Sequence, residues 1–315
     1  MDNCPLVTCV TIFLNADRYL DEAIRSVFAQ TYSNWELVLV DDGSTDASSG
    51  IALGYASQHP GRVRYVEHPG HVNRGMSASR NAGVALARGE YIALLDADDL
   101  WLPEKLAGQV EALEALPEAA MVYDASLHWY SWAGGPPDPG KERLRRLGFA
   151  AGTLVQPPEL IPRFFQGVAE SPGTCSILIR RGAVDRVGGF VDAFRGMFED
   201  QAFFYKICLE FPVLLQGGHT ALYRQHPDSH CHVEAARGVY QPDAPNPAMD
   251  SFLDWLADHV AGRVASSDSP ARLLDDSVKG YLNARRSKIH RLARLARLVR
   301  EAARRVFPPA RTRSA

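Results

Sequence analysis

The 315-residue sequence has no apolar run approaching the roughly 20 residues that span a bilayer. Its opening MDNCPLVTCV lacks a basic stretch ahead of an apolar one, so a cytoplasmic protein is expected. The five cysteines, Cys4, Cys9, Cys175, Cys208 and Cys231, never form a CxxC pair. That pattern favours reduced thiols over a disulfide frame or a cysteine zinc site. Neither GxGxxG nor GxxxxGKS/T follows an apolar strand, which excludes two glycine-rich phosphate cradles. A nucleotide bound here would be held by side chains and metal instead.

What is present begins with an uneven charge. The net charge is −3, but from Lys279 onward lie twelve of the 34 Lys/Arg and one of the 37 acids, leaving 22 basic residues against 36 acidic ones in the rest. An acidic body carries a basic tail. Over residues 287–306 the apolar positions share one helical face and arginines cover the other. Such a helix can lie on an anionic membrane, pack on protein, or bind nucleic acid; no nucleic-acid partner is expected here, while peripheral membrane contact at the inner face and packing on protein both stay open.

The body reads as α/β. LVTCVTIFL over 6–14 is an uncharged, β-branched strand, Leu20, Ile24, Val27 and Phe28 mark an amphipathic helix, and WELVLV over 35–40 is a second strand. Strand, helix and strand at this spacing make a βαβ unit and a parallel sheet, whose ligands bind at the carboxyl ends of the strands. Acids cluster at those ends: Asp41 and Asp42 after the second strand, and Asp96, Asp98 and Asp99 after YIALL. Adjacent carboxylates repel, and a hard cation with oxygen ligands relieves them; Mg²⁺ needs one or two carboxylates plus substrate phosphates. A plain acidic turn or helix cap is the competing reading. Arg80, in a helix of small residues, can reach a diphosphate or pair with a nearby acid. Residues 129–170, rich in Gly and Pro, resist assignment and suit acceptor recognition.

The ordered set VTCVTIFLN, SVFAQTYSNWELVLVDDGSTD, NRGMSASRNAG and GEYIALLDADD resembles the N-terminal half of the family-2 inverting glycosyltransferases. The resemblance is close over about 6–105 and looser to about 228. It implies a GT-A fold, Rossmann-like with a mostly parallel sheet flanked by helices, followed here by an α-helical C-terminal extension. It implies a nucleoside-diphosphate sugar donor, Mg²⁺ or Mn²⁺, and a saccharide or lipid-linked acceptor. By the same resemblance Asp42 contacts the nucleobase with Asp41 supporting the loop, Ile12 lines the nucleotide, and Asp96 and Asp98 form the DxD with Asp98 on the metal. Further on, Gly188, Gly189 and Phe190 precede the acid pair Glu199 and Asp200, of which Asp200 is the general base. His226 completes the metal shell or approaches the diphosphate; with His230, Cys231 and His232 it can otherwise be read as zinc ligands or as a solvated loop.

Expected boundaries are a glycosyltransferase domain over 1–235 with a donor half (about 1–125) and an acceptor half (about 126–235), a linker and helix over 236–278, and the basic tail over 279–315. Two rivals remain: a catalytically inactive nucleotide-sugar-binding scaffold, and a sugar-1-phosphate nucleotidyltransferase, whose basic glycine-rich loop is missing after the first strand.

Overall fold

The structure, a computed structural model, describes residues 4–238, apart from 135, 137 and 139, and residues 247–264. The chain divides into two compact units, Met1–Arg237 and Gly238–Ala315. In the second, a helix spans Pro247–Val264, close to the expected 246–264. The basic tail over 279–315 lies outside the described residues. No described helix is long and apolar enough to cross a membrane.

The strands of the first unit are β1 Val7–Phe13, β2 Trp35–Asp41, β3 Val63–Glu67, β4 Tyr91–Asp96, β5 Leu100–Trp101, β6 Met121–Tyr123, β7 Leu127–Trp129, β8 Arg143–Leu144, β9 Leu154–Val155, β10 Ile177–Arg180, β11 Val213–Leu215 and β12 Ala221–Arg224. The helices are α1 Leu20–Phe28, α2 Ser48–Gln58, α3 Met76–Ala85, α4 Lys105–Ala115, α5 Leu160–Phe165, α6 Arg181–Val187, α7 Glu199–Glu210 and α8 His230–Ala236. They frame an eight-stranded sheet in the order β3-β2-β1-β4-β10-β6-β11-β9 and a small sheet in the order β5-β12-β7-β8.

The first four strands of the large sheet are parallel, while β10 runs antiparallel to both β4 and β6. All seven residues of β1 and all seven of β2 are buried, as in strands covered on both faces, and the two acids of β2, Glu36 and Asp41, are held by hydrogen bonds. In α1, Leu20, Ala23, Ile24 and Val27 fall on one face and are buried against this core. Gly83 lets α3 lie against β1, because a Cβ there would run into the side chain of Val10. That close approach aims the N-terminal turns of α3 at the carboxyl ends of β1 and β4.

The segment the sequence left unread has structure of its own. β7 pairs with β8 and with β12 inside the small sheet, and Trp132, just after β7, meets Tyr19 edge-on at 5.7 Å and donates from Nε1 to the Gln225 carbonyl. The histidine-rich stretch is partly helical, with Ser229 capping α8 by accepting from the His232 backbone N–H.

Candidate active site

Register sets the frame. Asp41 on β2 pairs with Phe13, and Asp96 on β4 pairs with Ile12. The two carboxylates therefore end the strands on either side of β1, with buried Ile12 between them.

Asp41 is committed to its own loop. Oδ1 accepts from the backbone N–H of Gly43 (3.1 Å) and Ser44 (2.7 Å), and Oδ2 from the hydroxyls of Ser49 (2.5 Å) and Tyr65 (3.1 Å). Burial acts to raise this carboxyl, but the hydrogen bonds outweigh it and hold it below the ordinary carboxylate range. Asp42 braces the opposite wall: Oδ1 accepts from Arg74 N–H (2.7 Å) and Oδ2 from Gly75 N–H (3.0 Å). Gly75 sits at φ +90°, where a side chain would be strained, and opens α3.

Arg80 pairs with acids, one of the two roles that its place in the sequence allows. Its side chain is 3% exposed, Nη2 donates to Asp96 Oδ1 at 2.7 Å, and Nη1 donates to Glu199 Oε1 at 2.9 Å. One guanidinium thus ties the end of β4 to the start of α7, where Glu199 lies 119 residues beyond Arg80. Its charge is reinforced, since the two carboxylates outweigh the burial that opposes it.

The turn before α7 is fastened to α3. Ser77 donates to the carbonyl of Phe194, and Asn81 accepts from Phe190 N–H while donating to the carbonyl of Phe190 and to Asp192. Phe198, buried and at φ +69°, is an aromatic residue in the left-handed region immediately before Glu199. Strain of this kind survives only where the surroundings over-determine it. Here it turns α7 so that Glu199 meets Arg80 while Asp200 stays half-buried. Burial first, then the Asp200 charge, push Glu199 up to about 8 against the pull of Arg80. Burial also raises Asp200, with Arg80 pulling it back.

The three acids of the DADD turn have three fates. Asp96 is bound by Arg80 and still 27% exposed. Asp98 is 29% exposed, and its Oδ2 lies 2.9 Å from His226 Nε2. A carboxylate only accepts, so Nε2 carries the proton and Nδ1 faces the Tyr19 hydroxyl at 3.2 Å. Asp99 is buried, accepts from Arg224 N–H at 2.9 Å, and is driven far above the carboxylate range by burial and by Asp98 and Asp96. It supports the turn from within.

Sequence reasoning missed Tyr19 and Glu22, while Trp132 stands out in the sequence only as one of three aromatics, with Trp129 and Tyr130, that could stack on a sugar. Arg224 donates to the Asp98 carbonyl (2.7 Å) and to Glu22 (2.5 Å), with its guanidinium over the rings of Tyr19, Trp129 and Trp132. Only the helical spacing of Tyr19 and Glu22 hinted that α1 turns toward the strand ends.

Among the described residues no three His, Cys, Asp or Glu side chains form a metal cage, so His226, His230, Cys231 and His232 are not gathered as zinc ligands. The arrangement of Asp96 and Asp98, each partly exposed at one strand mouth, suits the other mode: a hard cation held by one or two carboxylates together with substrate phosphates.

Residues 8–183 match the sequence model of Glycosyl transferase family 2. The chain is 40% identical over 114 residues to EpsE of Bacillus subtilis, provisionally named a glycosyltransferase; the match covers 36% of this chain and 40% of EpsE. It spans less than half the length of the curated relatives it matches. The fold resembles TarS of S. aureus, solved with UDP-GlcNAc, at TM-score 0.63 and 18% identity over 88% of this chain and 71% of that one. It also resembles a Pyrobaculum calidifontis mannosyltransferase solved with GDP-Man and Mn²⁺, at TM-score 0.52 and 20% identity over 98% and 89% of the two chains.

Proposed function

Because the chain belongs to glycosyl transferase family 2, we propose that it transfers a sugar, with inversion, from a nucleoside-diphosphate sugar to a hydroxyl of a saccharide or lipid-linked acceptor. The carrying observation is the Arg80 bridge, which joins the DADD strand end to the acid pair that opens α7.

The donor nucleotide lies along the carboxyl ends of β1 and β2. Asp41 keeps the 41–46 loop tight, Asp42 fixes the Arg74–Gly75 turn facing it, and Ile12 forms the floor. Asp96 and Asp98 would hold Mg²⁺ or Mn²⁺, with His226 orienting Asp98 through its Nε2–H, and the bound metal would neutralise the charge that develops on the leaving diphosphate. Asp200 takes the proton from the acceptor hydroxyl as it attacks the anomeric carbon from the face opposite the diphosphate. Burial raises its basicity, which suits that task. Glu199 stays on Arg80 and positions Asp200.

Two experiments test this. Melting the protein with a panel of nucleoside diphosphates, each with and without Mn²⁺, should reveal one nucleotide whose stabilisation needs the metal, because a ligand of the native state raises Tm by mass action. An Asp200→Asn protein should keep that shift and lose transfer. Unimpaired transfer would refute the base assignment. Absence of any shift would refute the donor assignment.

A further inference from the structure

Three arginines near the strand ends and the small sheet are matched to carboxylates: Arg80 to Asp96 and Glu199, Arg224 to Glu22, and Arg143 to both oxygens of Glu170. Arg145, two residues beyond Arg143, is not. Among the described residues its side chain donates one hydrogen bond, from Nη1 to the Ser171 carbonyl at 3.1 Å, and meets no carboxylate. Its Nε is buried without a partner. So is the hydroxyl of Ser126, a residue with no exposed surface. The two converge on Gly173, where a Cβ would stand 2.8 Å from Ser126 Oγ and 3.7 Å from Arg145 Nε. An unpaired guanidinium beside an unpaired hydroxyl is an arrangement that an oxyanion completes.

The position of Arg145 relates it to the acceptor. Its guanidinium lies 5.3 Å from the ring centroid of Tyr223, whose hydroxyl is 3.8 Å from Cys231 Sγ. Cys231 follows His230, whose Nε2 would be 3.0 Å from a Cβ at Gly196, three residues before Glu199. The arginine is thus connected, through Tyr223 and the start of α8, to the turn that delivers Asp200. Asp200, raised above all by burial, is drawn back by Arg80 and also by Arg145. Two cations thus favour the Asp200 carboxylate, Arg80, which is paired with acids, and Arg145, which meets no carboxylate among the described residues.

We infer that Arg145, with the Ser126 hydroxyl and the ring of Tyr223, forms an anion subsite that receives a phosphate or carboxylate group of the acceptor. This rests on Asp200 as the base, since the hydroxyl it deprotonates defines which side belongs to the acceptor. The reacting acceptor is then an acidic glycan, a uronate or a sugar phosphate rather than a neutral saccharide.

The test uses the full chain saturated with Mg²⁺ and the nucleoside diphosphate that stabilises it. Two probes are titrated calorimetrically: methyl phosphate and methyl glucuronide. At least one should bind with the donor pocket filled, which also separates phosphate from carboxylate as the group preferred. Arg145→Gln should weaken that probe by about tenfold or more, the scale of a charge-assisted hydrogen bond, and leave nucleotide affinity unchanged. Arg145→Lys, which keeps the charge without the planar fork, should retain part of the binding and serves if the glutamine variant fails to fold. The proposal is overturned if neither probe binds, if Arg145→Gln binds as tightly as the native chain, or if the probe is displaced by the nucleotide, which would assign the arginine to the donor diphosphate. If no nucleotide binds, the proposed function fails; probe binding to the free chain, with or without Arg145, still decides the subsite.

Discussion

Replacing Arg80 with Met tests the bridge on which the site depends. The substitution keeps much of the volume and removes a cation whose side chain is 3% exposed, leaving Glu199, 8% exposed, without its partner. Asp96, at 27%, is open enough for water to take over part of its charge, so the loss falls mainly on Glu199. Breaking a buried pair by removing one member costs about 3–5 kcal/mol once the remaining group is charged. In a unit of this size that is a fall in Tm of about 6–20 °C. The loss is pH-dependent, with a definite sign. Burial and Asp200 already hold Glu199 up at about 8 in the native chain, and R80M removes the group that opposes them. Between the unfolded value of about 4.3 and the raised folded value, the native state holds more protons than the unfolded state, so stability falls as pH rises. Well below about pH 8 Glu199 is protonated with or without Arg80, and its share of the deficit is small. As pH rises through that value the native carboxylate ionises against Arg80, whereas the variant must keep its proton or bury a bare charge, so the deficit grows. Urea unfolding followed by circular dichroism from about pH 6 to about pH 9 measures it, and the double variant R80M/E199Q should recover most of it. A deficit below about 1 kcal/mol at the alkaline end, or one equal at both ends, would refute the claim that the bridge holds charge against charge.

The alternation of strand and helix was legible because apolar periodicity changes with element type, and the strand ends were legible because the acids begin where the apolar runs stop. β1, β2 and β4 lie within a residue or two of where the pattern puts them. The roles of individual acids were less legible. Asp96, Asp98 and Asp99 look equivalent in a string, yet the turn after β4 buries Asp99 under Arg224 and leaves Asp98 open to His226. Nothing local separates them: Arg224 and His226 arrive from the end of β12 and just beyond it, more than 120 residues away. Arg80 was ambiguous for the same reason, since its partner Glu199 is supplied by a distant helix. The 129–170 segment was unreadable because glycine and proline announce a loop without saying what it lies on; the place of β7 at its start follows from pairing with β12.

Three further outcomes follow from the geometry. Asp98→Asn should abolish the metal-dependent part of nucleotide stabilisation in a Tm assay while leaving the metal-free Tm near the native value; a full metal response in the variant would remove Asp98 from the metal site. Gly189→Ala, at φ +61° with its new Cβ 2.6 Å from the Asn81 Oδ1 that accepts from Phe190 N–H, should destabilise by about 1–3 kcal/mol in urea. Gly188→Ala, at φ +73° with nothing within 4 Å, should cost less. The last concerns the base. Burial disfavours the charged form of Asp200, and its raised value means that the carboxylate, the form that accepts the proton, is lost as pH falls at a point above the ordinary value of about 3.9. The acid limb of kcat/KM should therefore lie above that value. Arg145 is one of the cations favouring the carboxylate, so Arg145→Gln should move the limb to higher pH. A limb at or below about 3.9, or one that moves down in the variant, would show that the group titrating is not Asp200.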